Sequence, residues 1–166
     1  MSREANLWQA IAEETKNREM FLAFAEKADA EGRPQVARLF RAVADSELVH
    51  AQAELRVLSQ VKSTVENVRW AIGTEEREFQ EVYARFLREA KAEGNDELAE
   101  LLTRVMEVER GHYKLFTEAM ESLLDGRDAP RAPVLICTAC GHTVLGAAPQ
   151  PCPVCGSAAE QFRQVD

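Results

Sequence analysis

Cysteine is missing from everything that precedes Cys137, and all four fall between that residue and Cys155. Clustering of that kind points to one local site. No secretion signal is recognisable, so two Cys-x-x-Cys pairs read as metal-binding thiolates rather than disulfides. Long apolar runs are also missing: none approaches the roughly 20 residues needed to cross a bilayer. With polar opening residues, Met-Ser-Arg-Glu-Ala-Asn, the expectation is a cytoplasmic protein with no membrane partner. Positive charge is scarce, 20 basic against 28 acidic side chains for a net charge of −8. Such a surface repels phosphate backbones and anionic lipid, which argues against nucleic acid as a partner.

Proline is nearly missing from the front of the chain, where only Pro34 and a few glycines interrupt an Ala-, Glu-, Leu- and Arg-rich stretch from about Asn6 to Leu124. Four helices are expected there. The first runs from about Leu7 to Glu31 and ends at Gly32. The second begins at Pro34 and continues to about Val61. The third starts near Asn67 as N-cap and ends before Gly94. Asp96 caps the fourth, which runs to about Leu124. The stretch from Asp125 to Pro133 then changes composition abruptly and reads as a linker. The expected organisation is a four-helix domain over 1–126, a linker over 127–133 and a small four-cysteine domain over 134–166.

The helical region repeats itself. Ala30-Glu31-Gly32 recurs as Ala92-Glu93-Gly94, Val43 as Val105, Glu47 as Glu109 and His50 as His112, every pair separated by the same interval. Two pseudo-equivalent hairpins would supply matching ligands to a site between them. In the second helix the apolar stripe of Val36, Leu39, Phe40, Val43, Val57, Leu58 and Val61 also carries Glu47 and His50. The fourth repeats the pattern with Glu109 and His112. Glu14 lies on the stripe of the first helix and Glu75 on that of the third, with Glu78 at its flank. Burying that many carboxylates without a cation is prohibitive. One Glu from each of two helices and Glu-x-x-His from each of the other two is the ligand set of dinuclear carboxylate bundles. Taken singly each residue has a plainer reading: Glu14 could pair with Arg18, and His50 could be a core histidine near Glu54. Seven such residues recurring in an internal repeat outweigh it.

Cys137-Thr-Ala-Cys140-Gly and Cys152-Pro-Val-Cys155-Gly form two knuckles joined by a short stretch of chain, able to hold one tetrahedral ion. Spacing does not choose between iron and zinc. A neighbouring dinuclear site that needs electrons favours iron.

The stretches Ala12-Glu-Glu14-Thr, Phe21-Leu-Ala-Phe-Ala-Glu-Lys-Ala28, Ala37-Arg-Leu-Phe-Arg-Ala-Val-Ala44, Glu47-Leu-Val-His50-Ala, Glu75-Glu-Arg-Glu78-Phe, Glu109-Arg-Gly-His112 and the two knuckles resemble rubrerythrins along nearly the whole chain. The resemblance implies an all-α ferritin-like four-helix bundle followed by a rubredoxin-like four-cysteine domain. It implies a di-iron centre held by Glu14, Glu47, His50, Glu75, Glu78, Glu109 and His112, with Glu47 and Glu109 bridging. It implies that Glu78 and His112 exchange on one iron with redox state, and that Tyr83 lies near the site. Cys137, Cys140, Cys152 and Cys155 would hold a single iron, or zinc. The sequence departs from the family at Glu13, where glycine is frequent, at Phe21, which replaces a common tyrosine, and at His142, where an aromatic is usual.

Similarity to rubrerythrins implies a peroxidase that reduces hydrogen peroxide with electrons from an external reductase or rubredoxin, relayed through the four-cysteine iron. A ferritin-like ferroxidase or iron store is the alternative, and a zinc-ribbon binding protein a third reading. The stretch from His50 to Glu75 must complete one helix and begin the next, which leaves too little chain for a crossover along the bundle. A homodimer in which the first hairpin of one chain packs with the second of its partner is therefore expected.

Overall fold

The computed structural model describes residues 2–165, in two compact units. The first, Met1–Lys62, is a helical hairpin. Helix α1 (Arg3–Ala30) starts four residues earlier than expected, because the Ser2 hydroxyl accepts from the Ala5 N–H at 3.2 Å. It stops where the Gly32 N–H reaches Asp29 O and the Arg33 N–H reaches Ala28 O, a closure that needs the left-handed Gly32 at φ +69°. Helix α2 (Pro34–Val57) opens on its proline. The two helices meet through Ala25, Ala28 and Ala37, all buried, with Phe40 packed beside Phe21 and Phe24 at ring separations of 6.1 and 5.5 Å. Small side chains set the close approach and the aromatic cluster fills the space beside it.

Helix α2 ends at Val57 rather than Val61. The closing motif is the same as at Gly32, with Ser59 N–H to Arg56 O and Gln60 N–H to Leu55 O, but a serine at φ +51° takes the glycine's place. Much of the stripe expected to be interior is open on this hairpin: Leu39 is 63% exposed, and Val36, Val57 and Val61 are exposed as well.

The second unit, Ser63–Asp166, contains the other hairpin and the cysteine module. Helix α3 (Thr64–Arg77) is capped by Ser63 in a reciprocal box with Glu66, so the cap lies four residues before the expected Asn67. A π turn (Glu78–Val82) then leads into α4 (Tyr83–Ala92), and helix α5 (Asp96–Leu124) is capped by Asn95, with Asp96 as its first residue. The π turn has a cause in the repeat. Ala28 and Ala37 are matched by the buried Ala90 and Ala99 at the interval that relates His50 to His112, whereas Glu14 is matched by Glu75 at an interval one residue shorter. One extra residue between Glu75 and Ala90 is what a π bulge absorbs.

After Leu124 the chain forms a small antiparallel sheet, β1 (Val134–Cys137) between β2 (Thr143–Leu145) and β3 (Phe162–Val165), with Leu135 opposite Val144 and Gln164. The sheet carries one cysteine knuckle on the β1–β2 turn and leaves the other on the loop before β3. Among the described residues no helix is long and apolar enough to cross a membrane.

Candidate metal centres

In the first hairpin Glu14 comes from α1, and Glu47 and His50 come from one turn of α2; their ligand atoms lie within 4.8 Å of one another. His50 Nδ1 is 3.3 Å from Glu47 Oε2 and 3.7 Å from Glu14 Oε2. Arg18, the plainer partner for Glu14, pairs instead with Glu19. The close approach of Glu47, with burial adding to it, raises the Glu14 carboxyl above its ordinary range. Glu47 and Glu14 are half-buried, as expected, but the His50 side chain is 54% exposed on this hairpin.

The second unit builds the matching cluster from Glu75 on α3 and Glu109 and His112 on α5, again within 4.8 Å. His112 Nδ1 lies 2.9 Å from Glu109 Oε2 and 3.6 Å from Glu75 Oε2. Burial, reinforced by Glu109, pushes the Glu75 carboxyl up to about 7. Its Oε2 is buried with no hydrogen-bond partner. A carboxylate oxygen left bare among two further ligand atoms suits a divalent cation, and in its absence a proton. Glu78, first residue of the π turn, stands outside this cluster; burial and the charge of Glu109 raise its pKa. Tyr83 follows the π turn, packs edge-on to Phe86 at 6.1 Å, and is held protonated by burial and by Glu109, Glu78 and Glu75. Glu75 and His112 also line a cavity of about 490 Å³ whose walls include Leu115, Phe116, Val134 and Leu145.

The four cysteines converge on one point. Cys137 Sγ is 3.8 Å from Cys155 Sγ, and Cys140 Sγ is 3.8 Å from Cys152 Sγ. A tetrahedral ion with metal–sulfur bonds of about 2.3 Å requires sulfur–sulfur edges of about 3.8 Å. The knuckles can close this tightly because Gly141 and Gly156 adopt φ +85° and +75°, so that their N–H groups donate to Cys137 O and Cys152 O. The thiols are not alike. Burial pushes Cys140 up to about 12, while the hydroxyl and backbone N–H of Ser157 pull Cys155 down to about 6. The Ser157 hydroxyl lies 3.2 Å from Cys155 Sγ.

The cysteine module is seated on α5. A Cβ on Gly141 would lie 3.7 Å from Val108 Cγ1, and one on Gly111 would lie 3.8 Å from His142 Nδ1. His142 stands edge-on to Phe162 at 6.3 Å, and burial lowers its pKa. Thr143 Oγ1 is 3.3 Å from His112 Nε2. Sequence reading passed over Thr143 and Ser157. The first gives no local signal because its contact is tertiary. The second could have been noticed as the hydroxyl in Cys155-Gly-Ser157, where a knuckle turn brings residue i+2 back to the sulfur.

Comparison with known proteins agrees with this architecture. Residues 5–120 match the rubrerythrin family model and residues 136–163 match the rubrerythrin rubredoxin-like domain. The chain is 29% identical over 157 residues to rubrerythrin-2 of Clostridium acetobutylicum, covering 86% of this chain and 85% of that protein. It is 30% identical over 165 residues to nigerythrin of Nitratidesulfovibrio vulgaris, covering 90% and 80%. Among solved structures, the fully reduced, all-ferrous state of nigerythrin aligns with a TM-score of 0.59 at 28% identity, covering 99% of this chain and 87% of that one. With both carboxylate–histidine groups and the four-cysteine site in place, the chain belongs to the rubrerythrin family.

Proposed function

We propose that this protein is a di-iron peroxidase that reduces hydrogen peroxide to water, with electrons delivered through iron held by Cys137, Cys140, Cys152 and Cys155. The observation that carries the reading is the seating of a tetrathiolate module on α5, the same helix that presents Glu109 and His112. An iron store or ferroxidase has no use for such a relay, which makes that alternative the weaker one.

Glu14, Glu47 and His50 would hold one half of a dinuclear iron centre and Glu75, Glu109 and His112 the other. When bound, a diferrous pair there would provide both electrons that cleavage of the O–O bond consumes. The carboxylates would offset the charge of the metals held there. Glu78 would be the exchanging ligand: it opens the π turn, and its carboxyl lies outside the cluster. The exchange expected between Glu78 and His112 would pair this outlying carboxylate with an imidazole whose Nε2 lies 3.3 Å from Thr143 Oγ1. Tyr83, which keeps its proton, donates a hydrogen bond toward peroxide oxygen as the bond breaks.

The complete centre needs both hairpins, and we assign the second to a partner copy. For the two clusters to face one another across the pseudo-two-fold of the repeat, α2 and α3 must run in the same direction. Helix α2, at 24 residues, is about 36 Å long. The connection from Val57 to Thr64 reaches about 25 Å at most. The exposed stripe of Val36, Leu39 and Val43 is then covered by a second copy in a domain-swapped homodimer.

The test is direct. Iron-loaded protein, reduced by a suitable one-electron donor and mixed anaerobically with peroxide, is expected to reoxidise far faster than in buffer alone. Equal rates would remove the peroxidase reading.

A further inference from the structure

The two hairpins hold their histidines differently, and the difference points to the cysteine module. In the first hairpin His50 Nε2 faces Ser46 Oγ at 3.5 Å, a hydroxyl from the preceding turn of the same helix. The interval that matches His50 with His112 matches Ser46 with Val108, so α5 has no hydroxyl at that place. Val108 is instead buried and packs beneath Gly141. The hydroxyl that reaches His112 Nε2 comes from Thr143, far along the chain on β2.

Counting protons fixes the direction of this bond. Thr143 has one hydroxyl proton, and it is donated to the Gly141 carbonyl at 3.1 Å, a group that can only accept. The bond to His112 therefore runs the other way, from Nε2–H to Thr143 Oγ1. Nδ1, 2.9 Å from Glu109 Oε2, is the nitrogen left for a metal. An unbroken series of covalent and hydrogen bonds then joins Cys140, through Gly141 and Thr143, to His112.

Resting on the peroxidase reading, we propose that Thr143 is a positioning residue that holds His112 in its Nε2–H tautomer and carries the electron route from the four-cysteine iron to the half-site of its own chain. Each transfer takes one electron from the four-cysteine iron, ferrous to ferric, and returns one ferric ion of the pair to ferrous. Two transfers restore the pair after peroxide has taken two electrons. The external one-electron donor, a reduced rubredoxin or reductase, then re-reduces the four-cysteine iron. No proton crosses Thr143, whose hydroxyl stays on Gly141 throughout.

Thr143→Val removes the hydroxyl at nearly constant volume, and Thr143→Ser restores it. In the full-length iron-loaded protein, peroxide is added to the reduced form and the appearance of the ferric four-cysteine site is followed by its visible absorbance. The valine variant is expected to be about tenfold slower and the serine variant close to the parent, the size typical of losing a partner that orients a metal ligand. A second readout needs no turnover: in zinc-loaded protein labelled with nitrogen-15 histidine, the Nε2–H of His112 should exchange with solvent about fivefold faster in the valine variant and be protected in the other two. An unaltered tetrathiolate spectrum in the valine variant establishes that the module has kept its fold. Equal rates in valine variant and parent, a serine variant as slow as valine, or an Nε2–H indifferent to the substitution would each overturn the proposal. Failure of the parent itself to react with peroxide would count against the peroxidase reading alone, because the exchange measurement still decides the Thr143 bond.

Discussion

Stripping metal from the carboxylate clusters while leaving the tetrathiolate ion in place should make the protein less stable as pH rises from 4.5 to 7. The argument rests on Glu75, whose carboxyl moves from its ordinary 4.5 to about 7 in the folded chain, chiefly through burial. Below pH 4.5 the group is protonated both folded and unfolded, and burial costs nothing extra. Between the two values the unfolded chain has released its proton and the folded one has not, so stability drains away. Above pH 7 the folded chain carries the full penalty. At about 1.4 kcal/mol for each pKa unit, this amounts to about 3 kcal/mol. The side chain is only 17% exposed, so solvent screening takes little of it.

For a chain of this size that loss lowers the melting temperature by roughly 10 °C. Glu14 and Glu78 are raised in the same direction and add to the slope. Calorimetry of chelator-treated protein at pH 4.5, 5.5, 6.5 and 7.5 measures it, with Glu75→Gln as the control that should flatten most of the decline. Adding back ferrous iron or zinc should reverse the slope, because the metal binds the deprotonated carboxylates and is itself bound more tightly as pH rises. A metal-depleted protein whose melting temperature is constant or climbs across this interval, or a Gln variant with an undiminished slope, would refute the claim that these acids are forced together to receive cations.

Other expectations concern single side chains. Ser157→Ala removes a hydrogen bond to the Cys155 thiolate, and since that bond favours the more negative ferrous state, the midpoint potential of the four-cysteine iron should fall by a few tens of millivolts, equivalent to about 1 kcal/mol; spectroelectrochemistry reads it. Leu39→Glu, at a 63% exposed position of the uncovered stripe, should leave the hairpin folded but dissociate the proposed dimer in analytical ultracentrifugation, with loss of bound iron at the carboxylate site. Glu109→Ala deletes a carboxylate of the second cluster and should abolish dinuclear iron binding, leaving one iron per chain at the tetrathiolate by metal analysis. Glu78→Ala should leave iron binding largely intact and slow reoxidation by peroxide, which stopped-flow absorbance would show.

What could be read from the sequence was whatever is written in one stretch of chain. Glu47 with His50, and Glu109 with His112, announce themselves because three residues along a helix return to one face. The knuckles do so because glycine follows each second cysteine. The end of α2 was misplaced because Ser59 performs a turn that normally advertises itself with glycine. The cap of α3 was misplaced because Ser63 and Glu66 make a reciprocal pair that outcompetes the isolated Asn67. The π turn was visible only as a slip in the repeat, whose interval lengthens by one residue between the Glu14–Glu75 pair and the Ala28–Ala90 pair, and a motif-by-motif reading passes over it. Exposure of Leu39 and His50 could not be read at all, since a stripe looks the same whether its cover comes from this chain or another.

The repeat also explains why the two metals of such a centre need not be equivalent. Duplicated hairpins, left alone, would give identical triads. The second hairpin departs from the first in two ways: one inserted residue presents Glu78 beside the cluster, and the change from a serine to Val108 lets the cysteine module settle on α5 and brace His112. Both departures fall on the half built from Glu75, Glu109 and His112, and the first half keeps the simpler arrangement with an exposed His50 braced by its own helix. An extra carboxylate beside the cluster and a bonded contact with the four-cysteine module are what the proposed redox role would draw on. The asymmetry therefore follows from two local changes imposed on a symmetric scaffold, one reversible by deleting a residue of the π turn and the other by substitution at Val108.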